Sequence, residues 1–592
     1  MRIFTTLTAV LCCTISIVAQ KVDLPVGFSQ REKEQLLQGD FVISGNRGIE
    51  TPPPYESLRA MAEWEEIQAL TISWTSYPGI LKQIVREAKT ETRVIILSEN
   101  VSSTENYLMG SEAGGPLDNM DNVTILDSNF DSVWIRDYAG NPVYGNEVDN
   151  LVMVDWIYNR PNRPNDDASP EYIADELGIE LYTITEAPAD LVNTGGNFMS
   201  DGFGTAFASE LILDENDANN PYDVTSKTAE EIDQILSDYM GIDRYIKMET
   251  LPYDDIHHID MHMKLLDEET LLVGQFPEGE SDGPQLNANI EYVLSNFNSK
   301  WGTPYKIIWM PMVPNGQGEY APDAYYRTFT NAVFVNKKVL LPTYNTSYDP
   351  QGISIWEEAL PGYEIVGIDC DNNPEVIIAA SGAIHCITHA VGVEDPLLIS
   401  HQPLPDTEDN VNGYTVNAYM NHRDGVANGT LYWKTVIDAD YTMVSMSDAG
   451  SNIWTANIPA QEWGTTVYYY VRGEANTGKV QVRPMPAPEG YWSFDVLGEI
   501  ISVDNTLNFD FGKVYPNPAN AMTVVPVLFE DPAQGSIYLL DILGQKVFTI
   551  YQGEFSQGEK KHFFDARNVV PGLYNITIET ESGRVSQKLI VR

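Results

Sequence analysis

Cysteine is a natural starting point for nucleophilic chemistry, because the thiolate attacks and its surroundings decide whether one forms. Cys386 lies in "GAIHCITH", between His385 and His389, and Cys370 is the only other cysteine beyond the first thirteen residues. A lone cysteine is commonly a small buried hydrophobe, and in an oxidising compartment a Cys370–Cys386 disulfide would close a short loop. Two cysteines make a poor disulfide framework for 592 residues, so a free thiol at Cys386 ranks ahead of the bridge. Cys370 reads as a buried thiol.

Three further stretches carry groups that could work beside it. In "DDIHHIDMHMKLL", an extended chain would put His258, Asp260 and His262 on one face and Ile259, Met261 and Met263 on the other. That presents an imidazole acid/base with a carboxylate. The same set suits zinc or iron, and spacing does not separate the two. "SVWIRDYAGNP" places Arg136 and Asp137 after a strand-like run, where an isolated pair is usually a surface ion pair of little weight. "NTGGNFMSDGFGTAF" has neither the GxGxxG nor the GxxxxGK[ST] spacing, which excludes a nucleotide site. Its glycines allow tight turns or close backbone approach to a ligand. "LDENDANNP" is acid-rich but lacks the glycine of a calcium-binding loop, so structural calcium is the most it would hold and no cofactor is required.

A formal net charge of -50 makes nucleic acid and anionic membranes poor partners, while cationic ligands are compatible with it. "MRIFTTLTAVLCCTISIVAQ" reads as a signal peptide over residues 1–19, and no later segment could span a membrane as a helix. Residues 20–50 read as a leader or pro-like segment. Between residues 51 and 398, runs such as "ALTISW", "RVIILS", "TLLVGQF" and "EVIIAA" read as strands, alternating with helical stretches such as "GILKQIVREAK", the pattern of an α/β domain of similar units. From 399 to 498, "YTVNAYM", "IWTANI" and "TVYYYVRGE" predict an immunoglobulin-like β-sandwich. Residues 508–592 are again all-β.

In order, "WIRDYAG", "TGGNFMSDGFGT", "HHID", "FTNAVFVN" and "SGAIHCITH" resemble the agmatine deiminase superfamily, and most closely its bacterial porphyromonad-type peptidylarginine deiminases. The C-terminal "VYPNPAN", "DILGQKV" and "GLYNITI…KLIVR" resemble the sorting domain of type IX secretion, which implies export to the outer-membrane surface and contact with that machinery. The resemblance implies a pentein propeller of five ββαβ-type blades. It makes Cys386 the nucleophile, Asp137 and Asp260 the carboxylates that grip a guanidinium, and His258 the acid and then the base. Asn331 would hold the loop or the substrate near the reaction centre. Asp201 would be a further substrate-side carboxylate, and Trp134 would stack on the substrate or belong to the core. His262, His385 and His389 read as structural.

The family segment like "IYNRPRPND" binds a C-terminal carboxylate through two arginines. Here "IYNRPNRPND" separates Arg160 and Arg163 by one more residue, so either both reach the carboxylate or one turns away and the preference relaxes. The expected activity is hydrolysis of arginine in peptides or proteins to citrulline and ammonia. Agmatine or free arginine is the alternative substrate, and a non-catalytic surface adhesin the alternative role.

Overall fold

The computed structural model describes residues 24–39, 48–497, 509–540, 545–580 and 583–591. The expected signal peptide, part of the leader and the first residues of "DILGQKV" lie outside them. The described residues group into two compact units. One holds the chain up to Pro405 with Tyr414–Pro459 and Val467–Phe494; the other holds Asp406–Gly413, Ala460–Thr466 and everything from Asp495. Most of the expected sandwich therefore groups with the α/β region.

That region repeats one pattern five times. A short strand pairs antiparallel with a second strand, a helix follows, and a third strand pairs parallel with the second. The second repeat is Asn141–Gly145, Asn150–Tyr158 and Glu180–Ile184. The third is Met199–Ser200, Thr205–Ser209 and Arg244–Met248. The fourth is Met263–Leu265, Thr270–Gln275 and Lys306–Pro311. The fifth is Val333–Val335, Lys338–Thr343 and Glu364–Asp369. The first repeat takes its antiparallel strand from the far end of the region, where His389–Gly392 pairs with Ile67–Ser73.

Local chemistry explains the elements. "RVIILS" is buried along nearly its whole length, as a strand covered on both faces must be. The helix Pro78–Ala88 opens with proline and buries Ile80, Leu81, Ile84, Val85 and Ala88, one apolar stripe against the sheet. Three expectations differ from the outcome. Trp134 precedes a short helix, Ile135–Tyr138, rather than ending a strand. Ile259–Met261 form one 3-10 turn, so the "HHIDMHMK" alternation does not run as a strand and the strand starts at Met263. "EVIIAA" is also a turn, Ile377–Ala380, ended by Ser381 at φ +64°. Short apolar runs of this kind are buried either way, and periodicity does not tell strand from buried turn.

Beyond Leu397 the strands form two sheets, one with Leu398–Ser400, Tyr414–Asn421 and Ile453–Ile458, the other around Val426–Lys434 and Thr465–Ala475. Tyr414–Asn421 buries alternate residues, as a sandwich strand does. The C-terminal residues make two more sheets around Phe509, Phe529, Phe555 and Ile576. Among the described residues no helix is long and apolar enough to cross a membrane.

Glu375 accepts from the N–H groups of Gly79 and Ile80, both at 2.9 Å, and so caps the helix Pro78–Ala88 from the other end of the region. Glu375→Ala is expected to lower stability by about 1–2 kcal/mol. A fall in the calorimetric melting temperature of the larger unit, with the C-terminal transition unmoved, is the check.

Candidate active site

Five segments meet at one place, and each enters just ahead of the antiparallel strand of its repeat. Asp137 lies in the short helix before Asn141–Gly145, and Gly196 in the 3-10 turn before Met199–Ser200. His258 and Asp260 flank Ile259 before Met263–Leu265, Asn331 precedes Val333–Val335, and Cys386 precedes His389–Gly392. The chemistry therefore comes from equivalent corners of successive repeats.

Cys386 is fully buried, and both it and Cys370 are free thiols. Its Sγ accepts from Asn331 Nδ2 at 3.3 Å and lies 3.7 Å from Asp260 Oδ2. Asn331 Oδ1 also accepts the His385 N–H at 3.0 Å, so one side chain fixes both the sulfur and the turn that carries it. On the other side, Asp137 Oδ1 accepts the Gly196 N–H at 3.1 Å and stands 3.6 Å from His258 Nδ1. A Cβ at Gly196 would come within 2.4 Å of that same nitrogen, which is why the turn carries glycine. The other carboxylate oxygens, Asp137 Oδ2 and Asp260 Oδ1, have no hydrogen-bond partner, nor do the two ring nitrogens of His258. Buried polar atoms are ordinarily satisfied, so four orphans in one place describe a cradle for a ligand with N–H groups to give.

Burial shifts the titrating groups in opposite senses. It pushes the Cys386 thiol well up, and the negative charges of Asp260 and Asp137 push it further against a smaller pull from Asn331. It pulls His258 down, with Asp137 and Asp260 offsetting only part of the effect. Burial alone would raise Asp260, but the hydrogen bond and charge of His385 hold it below the ordinary carboxylate value.

His385, expected to be structural, bonds directly to this set. Its Nδ1 hydrogen-bonds Asp260 Oδ2 at 2.6 Å and its Nε2 hydrogen-bonds Glu63 Oε1 at 2.7 Å. Glu63 also binds Lys264 and lies 3.7 Å from Arg136, the neighbour of Asp137. One carboxylate thus ties together the carriers of both clamp acids. Nothing around "MAEWEE" marks Glu63 in the sequence; its role exists only through contacts to residues 73 to 322 positions away.

The remaining expected residues fall out as follows. Trp134 is fully buried and donates Nε1–H to the Leu24 carbonyl at 2.7 Å, with its ring against Gly382, so it packs as core. Arg160 lines a cavity of about 340 Å³ with Pro25, Phe28, Glu215 and His257, and its charge is felt at His258. Arg163 turns away from that cavity and is buried in an ion pair with Glu32 at 2.7 Å. Asp201 does not join the site. Its Oδ1 caps its own turn, accepting from Phe203 and Thr205 N–H at 2.7 and 2.9 Å, because the glycines around it close a tight loop there. His262 is buried and pulled down to about 4, and His389 pairs within the first sheet. In "LDENDANNP", Glu215 holds Asn159 and Tyr222 while Asp217 caps its own turn, so these acids do not converge.

Two buried acids with unsatisfied oxygens beside a free thiol suit a cationic ligand, and the enzyme class that acts on a guanidinium is a hydrolase of guanidino C–N bonds. Residues 59–391 match the Porphyromonas-type peptidyl-arginine deiminase family, and the chain belongs to it. Residues 513–592 match the secretion system C-terminal sorting domain. A protein of Shewanella sp. (strain W3-18-1), provisionally named an agmatine deiminase, is 24% identical over 377 residues, 58% of this chain and 96% of its own length. Two solved structures are similar. One is provisionally titled an arginine deiminase, from Porphyromonas gingivalis, with 19% identity, a TM-score of 0.48 and coverage of 57% and 98% of the two chains. C. jejuni agmatine deiminase has 21% identity, a TM-score of 0.46 and coverage of 57% and 96%.

His385→Ala removes the donor that holds Asp260. It is expected to lower kcat/KM about 10- to 100-fold, the worth of one charge-assisted bond, with the melting temperature far less affected. Citrulline release and a thermal melt on the same sample check it.

Proposed function

We propose that the chain is an exported peptidyl-arginine deiminase, converting arginine of peptides or proteins, with C-terminal arginine preferred, to citrulline and ammonia. The observation that carries this reading is the set of unpartnered atoms on Asp137, Asp260 and His258 beside the free thiol of Cys386. In this reading the five repeats close as the pentein propeller, and the strands beyond Leu397 are its immunoglobulin-like companion. The match to a sorting domain supports export by type IX secretion, with the secretion machinery as a partner.

Each carboxylate grips one N–H edge of the guanidinium, fixing its plane so that the central carbon faces the sulfur. The substrate's positive charge offsets the two acids, and the thiol gives its proton to His258. The thiolate adds to the guanidinium carbon, and His258 returns that proton to the amine, which leaves as ammonia. An S-alkylthiouronium remains. His258 then takes a proton from water, whose oxygen adds to the same carbon; the C–S bond breaks as the new hydroxyl's proton passes to sulfur, giving citrulline and the Cys386 thiol, and His258 releases its proton to solvent. Asn331 keeps the sulfur in line throughout.

Arg160 supports a substrate that bears a carboxylate, because it lines the cavity beside His257 and its charge acts on His258. Agmatine has no such group. A peptide ending in arginine, one with internal arginine and agmatine, compared side by side, test the reading. Cys386→Ala is expected to lower ammonia release, the product common to all three, at least roughly 10³-fold on each active substrate, and Arg160→Ala to weaken only the peptides. Agmatine turned over faster than either peptide would sink it.

The pH dependence follows from the shifts. The reactive free form is the neutral thiol with neutral imidazole. Burial lowers His258 and raises Cys386, so both keep that form across neutrality. Thus kcat/KM should be flat there, falling on the acid side below about 6.5 and on the alkaline side above about 8.5, the ordinary imidazole and thiol values. Initial rates across that range are the measurement, and an acid limb above the ordinary imidazole value contradicts the assignment.

A further inference from the structure

The catalytic centre has no open side. Cys386 and His258 have no exposed surface and Asp137 and Asp260 about 1%, and a stretch from outside the family-matched residues packs on the neighbouring Trp134, Arg160 and Ala380. Leu24 accepts from Trp134 through its carbonyl. Val26, itself fully buried, donates its N–H to Ala380 O at 3.3 Å and accepts Arg160 Nε–H at 2.9 Å. Gly27 O accepts from Arg163 at 2.9 Å, and the Phe28 ring lies 4.4 Å from the Arg160 guanidinium. The chain then enters the helix Gln30–Gln38, whose first turn delivers Glu32 to Arg163 with both oxygens, at 2.7 and 3.1 Å.

Nearly all these bonds run to the main chain of the covering segment, and they would be offered equally to any extended polypeptide. The exception is Glu32, which gives the arginine loop a carboxylate held by both oxygens. Arg163 Nη1 is left without a partner, so the loop retains a donor beyond those Glu32 uses. Sterically the fit is close. A Cβ on Gly382 would strike the Trp134 ring at 2.5 Å and the Val26 side chain at 2.8 Å.

We propose that Leu24–Glu32 is an intramolecular occupant of this enzyme's polypeptide groove, its main chain and Phe28 ring covering Arg160, where a substrate carboxylate would bind, and Glu32 latching it to Arg163 of the same loop. The proposal rests on the peptidyl reading above and adds that the full chain is self-inhibited. Release of the segment, by cleavage of the connection to residue 48 or by competition, opens the groove. A tethered ligand acts at an effective concentration on the order of millimolar, enough to hold back substrates whose KM lies in the usual range. The arginine loop serves as a latch in the resting chain and as a substrate anchor afterwards.

The test uses the full chain with a site-specific protease sequence in place of residues 40–47. Peptide and agmatine turnover are measured before cutting and after cutting with removal of the released fragment. Cutting should raise kcat/KM on a peptide ending in arginine at least about tenfold. A synthetic peptide of residues 24–38 added back should raise KM without lowering kcat. Uncut Glu32→Gln, which keeps the shape but loses the charge pair, should show part of the gain and faster alkylation of Cys386. Equal peptide turnover before and after cutting overturns the occupant and leaves the peptidyl reading standing. Turnover of agmatine alone in both states overturns both.

Discussion

Two buried carboxylates, Asp137 and Asp260, act on one thiol, and each has an oxygen that no protein atom satisfies. In a low-dielectric interior that arrangement is costly, and a cation placed between the acids relieves it. Burial and both acids push the thiol of Cys386 toward its neutral, less reactive form. On the proposed reading, an arriving guanidinium reverses the local field and makes the sulfur reactive only where the target carbon lies. Binding and activation are then one electrostatic event, which explains why the thiol sits beside acids and not beside the base-rich surroundings that usually lower a cysteine.

Such a site needs support from outside, and Glu63 supplies it. Burial would favour its neutral form, but His385, Lys264 and Arg136 hold its carboxylate well below the ordinary value. His385 passes that order to Asp260, while Arg136 is the covalent neighbour of Asp137 and bonds the carbonyl of His385. Removing one partner from a buried charge network leaves the others uncompensated, so the clamp and its support stand or fall together. The closing strand His389–Gly392 completes the arrangement by bringing Cys386, from the end of the region, against Asp260 and Asn331.

The appended strands are not loosely strung on. Within the larger unit, Tyr419 and Asn421 bond Glu147, and Arg483 donates to the Trp64 carbonyl at 2.9 Å. Lys300 is drawn into the same contact against Phe203 and Tyr419, where burial lowers its ammonium to about 7. In the smaller unit, Asn517 of "YPNPAN" donates to Lys588 O and accepts from the Ile590 N–H, so this loop staples the last strand. Each region thus has a local reason for its polar residues that is separate from the chemistry.

Some of this was legible in the residues alone. Apolar runs such as "RVIILS" and "IWTANI" became strands at the expected places, because a strand buried on one or both faces writes its period directly into the chain. The ordered motifs singled out Asp137, His258, Asp260, Asn331 and Cys386, which the fold then gathered. Asp201, grouped with them by motif, went to its own turn, and His385 and Glu63 entered the network unannounced. The difference has a physical cause. Periodicity and turn chemistry act over a few residues, and sequence expresses them. Which oxygen is left unpaired, which imidazole touches which acid, and that Glu32 reaches Arg163 across 131 positions depend on repeats closing around one centre, and only the tertiary structure decides them.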